Sequence, residues 1–316
     1  MFILLEKFKY WTLFFMNMKR KLVKQGSATL MVSLPSKWIK KNKLDKGSEV
    51  DIIELDDKIT ISAMPSEVKS EVVLDLPNLS ETLISMLLTN TYRKGYDRII
   101  VNYKDERQFA IMQQVIRDRL IGFDVIKKGK NQCTIENITE PSKDQFENIF
   151  SKMIFSMSEL FDLTKKRMDK SKEDIESYKE VDGRVRRYDN FCRRMITKRY
   201  FSEKSELYWT MLTTFLRAER EMYALNKVLD GNIKPGEKVK ELLACAKNMF
   251  DISVKAYNKD LKSLEAMHDL EKEYVYKKGY NLLENSKGKD TILAYHIIGC
   301  IRQLYLSSSP ISGIVM

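Results

Sequence analysis

Hydrophobic and polar positions change rhythm twice along this chain of 316 residues, dividing it into three stretches. Residues 19–62 read as a short strand, a turn at Gly26, a second short strand closing on Pro35, a helical turn started by that proline, and a hairpin. The hairpin strands, Ser48–Leu55 and Lys58–Ala63, meet at Asp56-Asp57. After Pro65 strands and helices alternate: a strand over Glu71–Leu76, a helix over Ser80–Lys94 capped by Ser80, and a strand over Asp97–Tyr103. A helix over Arg107–Ile121 ended by Gly122 follows, then a hairpin of Phe123–Lys128 with Gln132–Ile138. This β-α-β-α-β-β order predicts a small open sheet with helices packed on it. From Pro141 onward apolar residues return at three- and four-residue spacing, as in Ile149, Met153, Phe155 with Met157, Leu160 and Leu163, or Met211, Leu212, Phe215, Met222, Leu225, Val228 and Leu229. Helices near 142–170, 172–200, 203–230, 236–258, 260–286 and 288–307, joined by short loops, predict antiparallel bundles divisible as three plus three. The expected fold class is therefore multidomain α+β, with an extension over 1–17, a strand-rich module over 18–65, an α/β domain over 66–140 and a helical domain over 141–316.

The first module is too short to bury a core alone, because a unit of about 45 residues leaves most of its surface wet. It should dimerise. Charge sets it apart further, since between Lys19 and Lys46 nine basic residues face one acid, Asp45, whereas the whole chain carries only +11. A cationic excess gathered on one small module is the electrostatic footprint of a phosphate-backbone binder.

The same residues carry a resemblance. Gln25-Gly26-Ser27, Leu30-Met31-Val32-Ser33-Leu34-Pro35, Trp38 and Leu44-Asp45-Lys46-Gly47-Ser48-Glu49-Val50, with the closing hairpin, resemble the AbrB/MazE swapped-hairpin family. The resemblance implies a DNA-binding domain in which two chains interlock their hairpins into one β-barrel. Many members place an arginine on the second strand near the proline, where this chain reads Val32-Ser33-Leu34. The expectation is therefore of backbone contacts by Lys19, Arg20, Lys21 and Lys24, with Ser27, Lys37 and Lys40 completing the DNA-binding set.

Over residues 142–316 the helical pattern resembles the archaeal-type PhoU family of phosphate-uptake regulators, built from repeated three-helix bundles. Arg220-x-x-Tyr223 recurs as Arg302-x-x-Tyr305, and Glu180-Val181-Asp182 leads to Arg193-Arg194-Met195-Ile196. Family members gather metal ions on acidic pairs four residues apart, which here align with Glu219 and Tyr223, and with Ile301 and Tyr305. Tyrosine is a poor ligand for hard cations at neutral pH, so no metal site and no cofactor are expected. Arg187, Arg194 and Lys198 share a helix face at seven- and eleven-residue spacing, which reads either as a solvated face paired with glutamates or as an anion or partner surface.

Catalysis finds no footing. Cys133, Cys192, Cys245 and Cys300 are scattered without metal-ligand spacing, His268 and His296 stand in no triad arrangement, and no phosphate-cradling glycine loop occurs. Residues 1–17 mix apolar runs with Glu6, Lys7 and Lys9, fitting neither a membrane span nor a signal peptide. They read as a dispensable extension ahead of a start near Met18, and the protein as cytoplasmic. Together the readings predict a DNA-binding transcriptional regulator of phosphate uptake or metabolism, homodimeric through its N-terminal domain. An antitoxin-like regulator restraining a protein partner, and a peripheral modulator of a phosphate transporter or signalling protein without stable membrane insertion, are the alternatives.

Overall fold

The computed structural model describes residues 19–26, 29–55, 58–63, 69–139, 143–169, 175–198, 204–230 and 233–316. The expectations for residues 1–17, the start near Met18, Ser27, the Asp56-Asp57 turn and the Pro65 boundary lie outside the described residues. The chain divides into two compact units, Met1–Val68 and Lys69–Met316.

The first unit holds two separate two-stranded antiparallel ladders. Strand β1 (Val23–Gln25) pairs with β2 (Thr29–Met31), with Lys24 opposite Leu30 and Val23 opposite Met31. Gly26 supplies the left-handed turn between them, at φ 75°, which a β-carbon would strain. A six-residue helix α1 (Ser36–Lys41) starts after Pro35, whose fixed φ suits a helix entry. Strand β3 (Asp51–Leu55) then pairs with β4 (Lys58–Ser62). The strand expected from Ser48 starts at Asp51 because Ser48 closes a turn on Asp45, its N–H donating to the Asp45 carbonyl at 3.0 Å and its hydroxyl accepting from the Asp45 N–H at 2.9 Å. The expected closed barrel is not formed by one chain: the ladders lie in different sheets.

The second unit opens with the α/β layer. Strands β5 (Glu71–Asp75), β6 (Arg98–Asn102), β7 (Phe123–Lys128) and β8 (Gln132–Asn137) form one sheet in the order β5-β6-β8-β7, parallel only between β5 and β6. Helix α2 (Glu81–Arg93) is capped by the Ser80 hydroxyl, which accepts from the Leu83 N–H at 3.3 Å, and α3 (Glu106–Arg119) by Asp105. Their apolar stripes, including Ile84, Leu88, Phe109 and Met112, pack with the buried Ile99, Val101, Cys133 and Ile135 of the sheet.

Helices α4 (Lys143–Met168), α5 (Ile175–Thr197), α6 (Ser205–Leu229), α7 (Glu237–Tyr257) and α10 (Lys289–Leu306) follow the expected periodicity. Of the apolar positions that the spacing predicts, Phe155 proves to be exposed. Between α7 and α10 the chain runs through α8 (Glu265–Glu271), an eight-residue π-helical stretch (Lys272–Gly279) and α9 (Tyr280–Asn285). Gly279 packs against α10 so closely that a β-carbon there would stand 2.8 Å from the Ile298 side chain. A further helix, α11 (Ser308–Val315), lies beyond the last one that the spacing predicts. Pro310 sits in its first turn, where a missing N–H costs nothing, and Ile311 and Ile314 are buried. The three-plus-three division does not produce separate cores, since one apolar cluster runs from Phe146 to Ile314. All four cysteines are buried thiols without disulfides. No described helix is long and apolar enough to cross a membrane.

Candidate nucleic-acid interface

Lys19, Arg20 and Lys21 precede β1, and Lys24 lies on it. All four are exposed. Lys37 and Lys40 lie on α1, and Lys41, one turn after Lys37, completes a basic face that the spacing alone already implied. The other side of α1 carries the half-buried Trp38 and Ile39, while Asn42 closes the helix by donating its side-chain amide to the Trp38 carbonyl at 2.8 Å. Among the described residues none of Lys19, Arg20, Lys21, Lys24, Lys37, Lys40 and Lys41 forms an ion pair or side-chain hydrogen bond, so their charge stays available to an external anion.

The described side chains of the same unit form almost no interior. Among the residues between 19 and 63 whose side chains are described, none is buried. Leu22, Val23, Leu30, Ile52 and Ile59 are each more than half exposed. Cross-strand pairing of Ile52 with Ile61 and the alternation of β4 place Ile52, Ile59 and Ile61 on one face of the second ladder. An unpartnered apolar face on a two-stranded ladder is marginal in water, and it is the face a second chain would cover.

The arginine surface expected on α5 is corrected at two of its three positions. Arg194 is buried, because the face it shares with Lys198 is covered by the α2–β6 turn. Its guanidinium donates to the Tyr92 carbonyl at 3.1 Å, the Tyr96 carbonyl at 2.8 Å and Asp97 Oδ1 at 2.8 Å, and it lies over the rings of Tyr92 and Phe123. Lys198 pairs with the same Asp97 carboxylate. Burial pushes the Asp97 carboxyl up, but the hydrogen bond and charge of Lys198 and the hydrogen bonds of Ser70 outweigh it and hold the group below the usual carboxylate range. Arg194 and Lys198 therefore join the α/β layer to the helices, and only Arg187 is exposed. Arg194→Ala should cost about 3 kcal/mol or more, since it leaves buried carbonyls without a donor. Calorimetry would check this, and an unchanged Tm would show that the junction does not depend on Arg194.

Glu219 is 1 % exposed, faces Arg186 at 3.6 Å, and has no hydrogen-bond partner among the described residues for either oxygen. Burial, with Asp182 adding to it, pushes its carboxyl up to about 9. Two ionised carboxylates offer each other no donor, whereas a proton on Glu219 makes one hydrogen bond between them. Because the folded value is raised, this contribution to stability is fully present in acid below the ordinary glutamate range and is lost as pH rises through about 9. Unfolding free energy should fall across that window by at most about 1.4 kcal/mol per pH unit, and Glu219→Gln should flatten the fall. Denaturant titrations at several pH values measure it, and an unchanged slope in the variant would contradict the assignment. Tyr223 stacks its ring near Arg186 and Lys227, and the Tyr305 hydroxyl lies 3.4 Å from His268 Nδ1. No group of three or more His, Cys, Asp or Glu able to hold a metal occurs among the described residues.

The family model described as MazE antitoxin, antidote-toxin recognition MazE, bacterial antitoxin, matches residues 23–69. The match supports a MazE/AbrB-type module over that stretch and does not reach the helices of the second unit. No curated protein matches the chain, and no solved structure does.

Proposed function

We propose that this chain is a DNA-binding regulator that acts as a homodimer through its N-terminal module, without catalysis of its own. The observation that carries the reading is the coincidence, within the stretch similar to MazE antitoxins, of unpaired exposed cations and an uncovered apolar ladder. The ladder asks for a second copy, and two copies double the cationic surface and present it twice, as a two-fold symmetric site on DNA requires. The helical unit then receives the regulating signal. Assignment of that signal to phosphate uptake or metabolism draws on the PhoU-like pattern of residues 142–316, and the three-helix repeats belong to the same reading.

The test is fluorescence anisotropy of duplex DNA with the full chain across a salt series. Affinity should fall steeply as salt rises, and an absence of binding at low salt would refute the proposal. A second reading, an antitoxin-like regulator that restrains a protein partner, is favoured by the toxin-recognition description of the matching family. Stoichiometric co-purification of a toxic partner, with weak retention on DNA, would select it.

A further inference from the structure

Two adjoining cavities, of about 630 and 600 Å³, open where α2, α3, α5 and α6 converge in the second unit, and both are lined by Arg119, Arg186 and Arg220. Arg184 and Arg187 line the first and Arg93 the second. Some of these cations are already committed. Arg93 bonds Asp189 and Asn190, Arg184 bonds Glu159, and Arg186 bonds Asp182. Arg119, Arg187 and Arg220 are not: among the described residues none of their guanidiniums has an ion pair or hydrogen bond. They come from three different helices, α3, α5 and α6, so their convergence is a product of the fold and not of a single charged stripe.

Cations gathered in this way repel one another. Arg119 is half-buried, and burial first, then Arg186 and Arg220, hold its guanidinium below the usual arginine range against the pull of Asp182 and Asp118. An exposed helix face ordinarily relieves such repulsion with a nearby glutamate, as Arg184 does with Glu159 and Glu180. Here a bound anion would relieve it, and the planar guanidinium fork matches phosphate oxygens two at a time. The second cavity adds a different wall, with Met86 and Leu216 beside the hydroxyls of Thr82, Ser85 and Thr89. Cavities of this size lie within the range of small-molecule sites, roughly 300–1,000 Å³. Glu81, Asp118 and Glu180 at the lining disfavour a nucleic-acid backbone laid across it.

We propose that this cleft binds a small molecule bearing two or more clustered phosphate groups, its oxygens held by Arg119, Arg187 and Arg220. The site is separate from the N-terminal cations, and the proposal does not depend on the DNA-binding reading. An organic portion, where the ligand has one, lies against Met86 and Leu216.

Isothermal titration of the full chain with inorganic tripolyphosphate and, separately, with ATP tests the site. At least one should bind saturably at one per chain. Comparable affinities place an inorganic polyphosphate in the site, while a clear preference for ATP places a phosphorylated organic molecule there. Arg119→Gln with Arg220→Gln should weaken binding by about a hundredfold, near tenfold for each charged hydrogen bond removed. The Lys19→Ala, Arg20→Ala, Lys21→Ala, Lys24→Ala variant should bind as the unaltered protein does, which separates this site from the basic module. Should the Arg119 variant fail to fold, Arg187→Gln with Arg220→Gln alters two exposed side chains and must still weaken binding. No saturable binding of either probe at millimolar concentration overturns the proposal. So do unchanged affinity in the arginine variants, loss of binding in the N-terminal variant, and displacement of the probe by duplex DNA in that variant.

Discussion

Alanine at Lys19, Arg20, Lys21 and Lys24 together should lower the affinity of the full chain for duplex DNA near 0.1 M salt by about a thousandfold or more for each protomer engaged, one phosphate being neutralised by each side chain. The effect is electrostatic, so salt dependence provides an internal control. Each phosphate contact contributes about −0.9 to the slope of log affinity against log salt, so the variant should lose about 3.6 of slope for each protomer as well as affinity. None of the four side chains has an internal partner among the described residues, so their removal should leave folding untouched. Anisotropy at several salt concentrations separates the outcomes. A variant with unchanged affinity and slope would mean that the cluster merely keeps the module soluble.

Aspartate at both Ile52 and Ile59 should convert the dimer to monomer and abolish DNA binding with it. The two side chains are 63 % and 68 % exposed and share one face of the β3–β4 ladder. Covered by a second chain, each would contribute about 1.5–3 kcal/mol, or about 6–12 kcal/mol over the two protomers, before the cost of burying new charge is added. A loss of that size exceeds the free energy of a micromolar association, about 8 kcal/mol, over most of its range. Sedimentation equilibrium of the full chain reads the mass directly. A variant that remains dimeric and keeps its DNA affinity would move the dimer contact elsewhere and leave the apolar ladder unexplained.

Both effects are largely legible in the sequence. The nine basic residues against Asp45, the glycine turn at Gly26 and the shortness of the module are properties of a local stretch, and they predict cations on an incomplete strand unit. What cannot be read there is its closure. A barrel shared between chains has no expression in one copy, and the single chain shows its two ladders in separate sheets.

The helical unit divides along the same line. Sequence alone determined the succession of strands and helices along the α/β segment, the Ser80 cap and the positions of the long helices, because alternation, capping and three- to four-residue spacing are short-range consequences of backbone geometry. It also placed Arg187, Arg194 and Lys198 on one side of α5. Only the tertiary structure decided what each then met. The turn after α2 closed over Arg194 and Lys198 and left Arg187 outside. Arg119 and Arg220, about a hundred positions apart in the chain, came to line one cleft with Arg187. Charge along a helix is written in its own residues, but whether that charge is buried, paired or left open depends on which distant element packs against it.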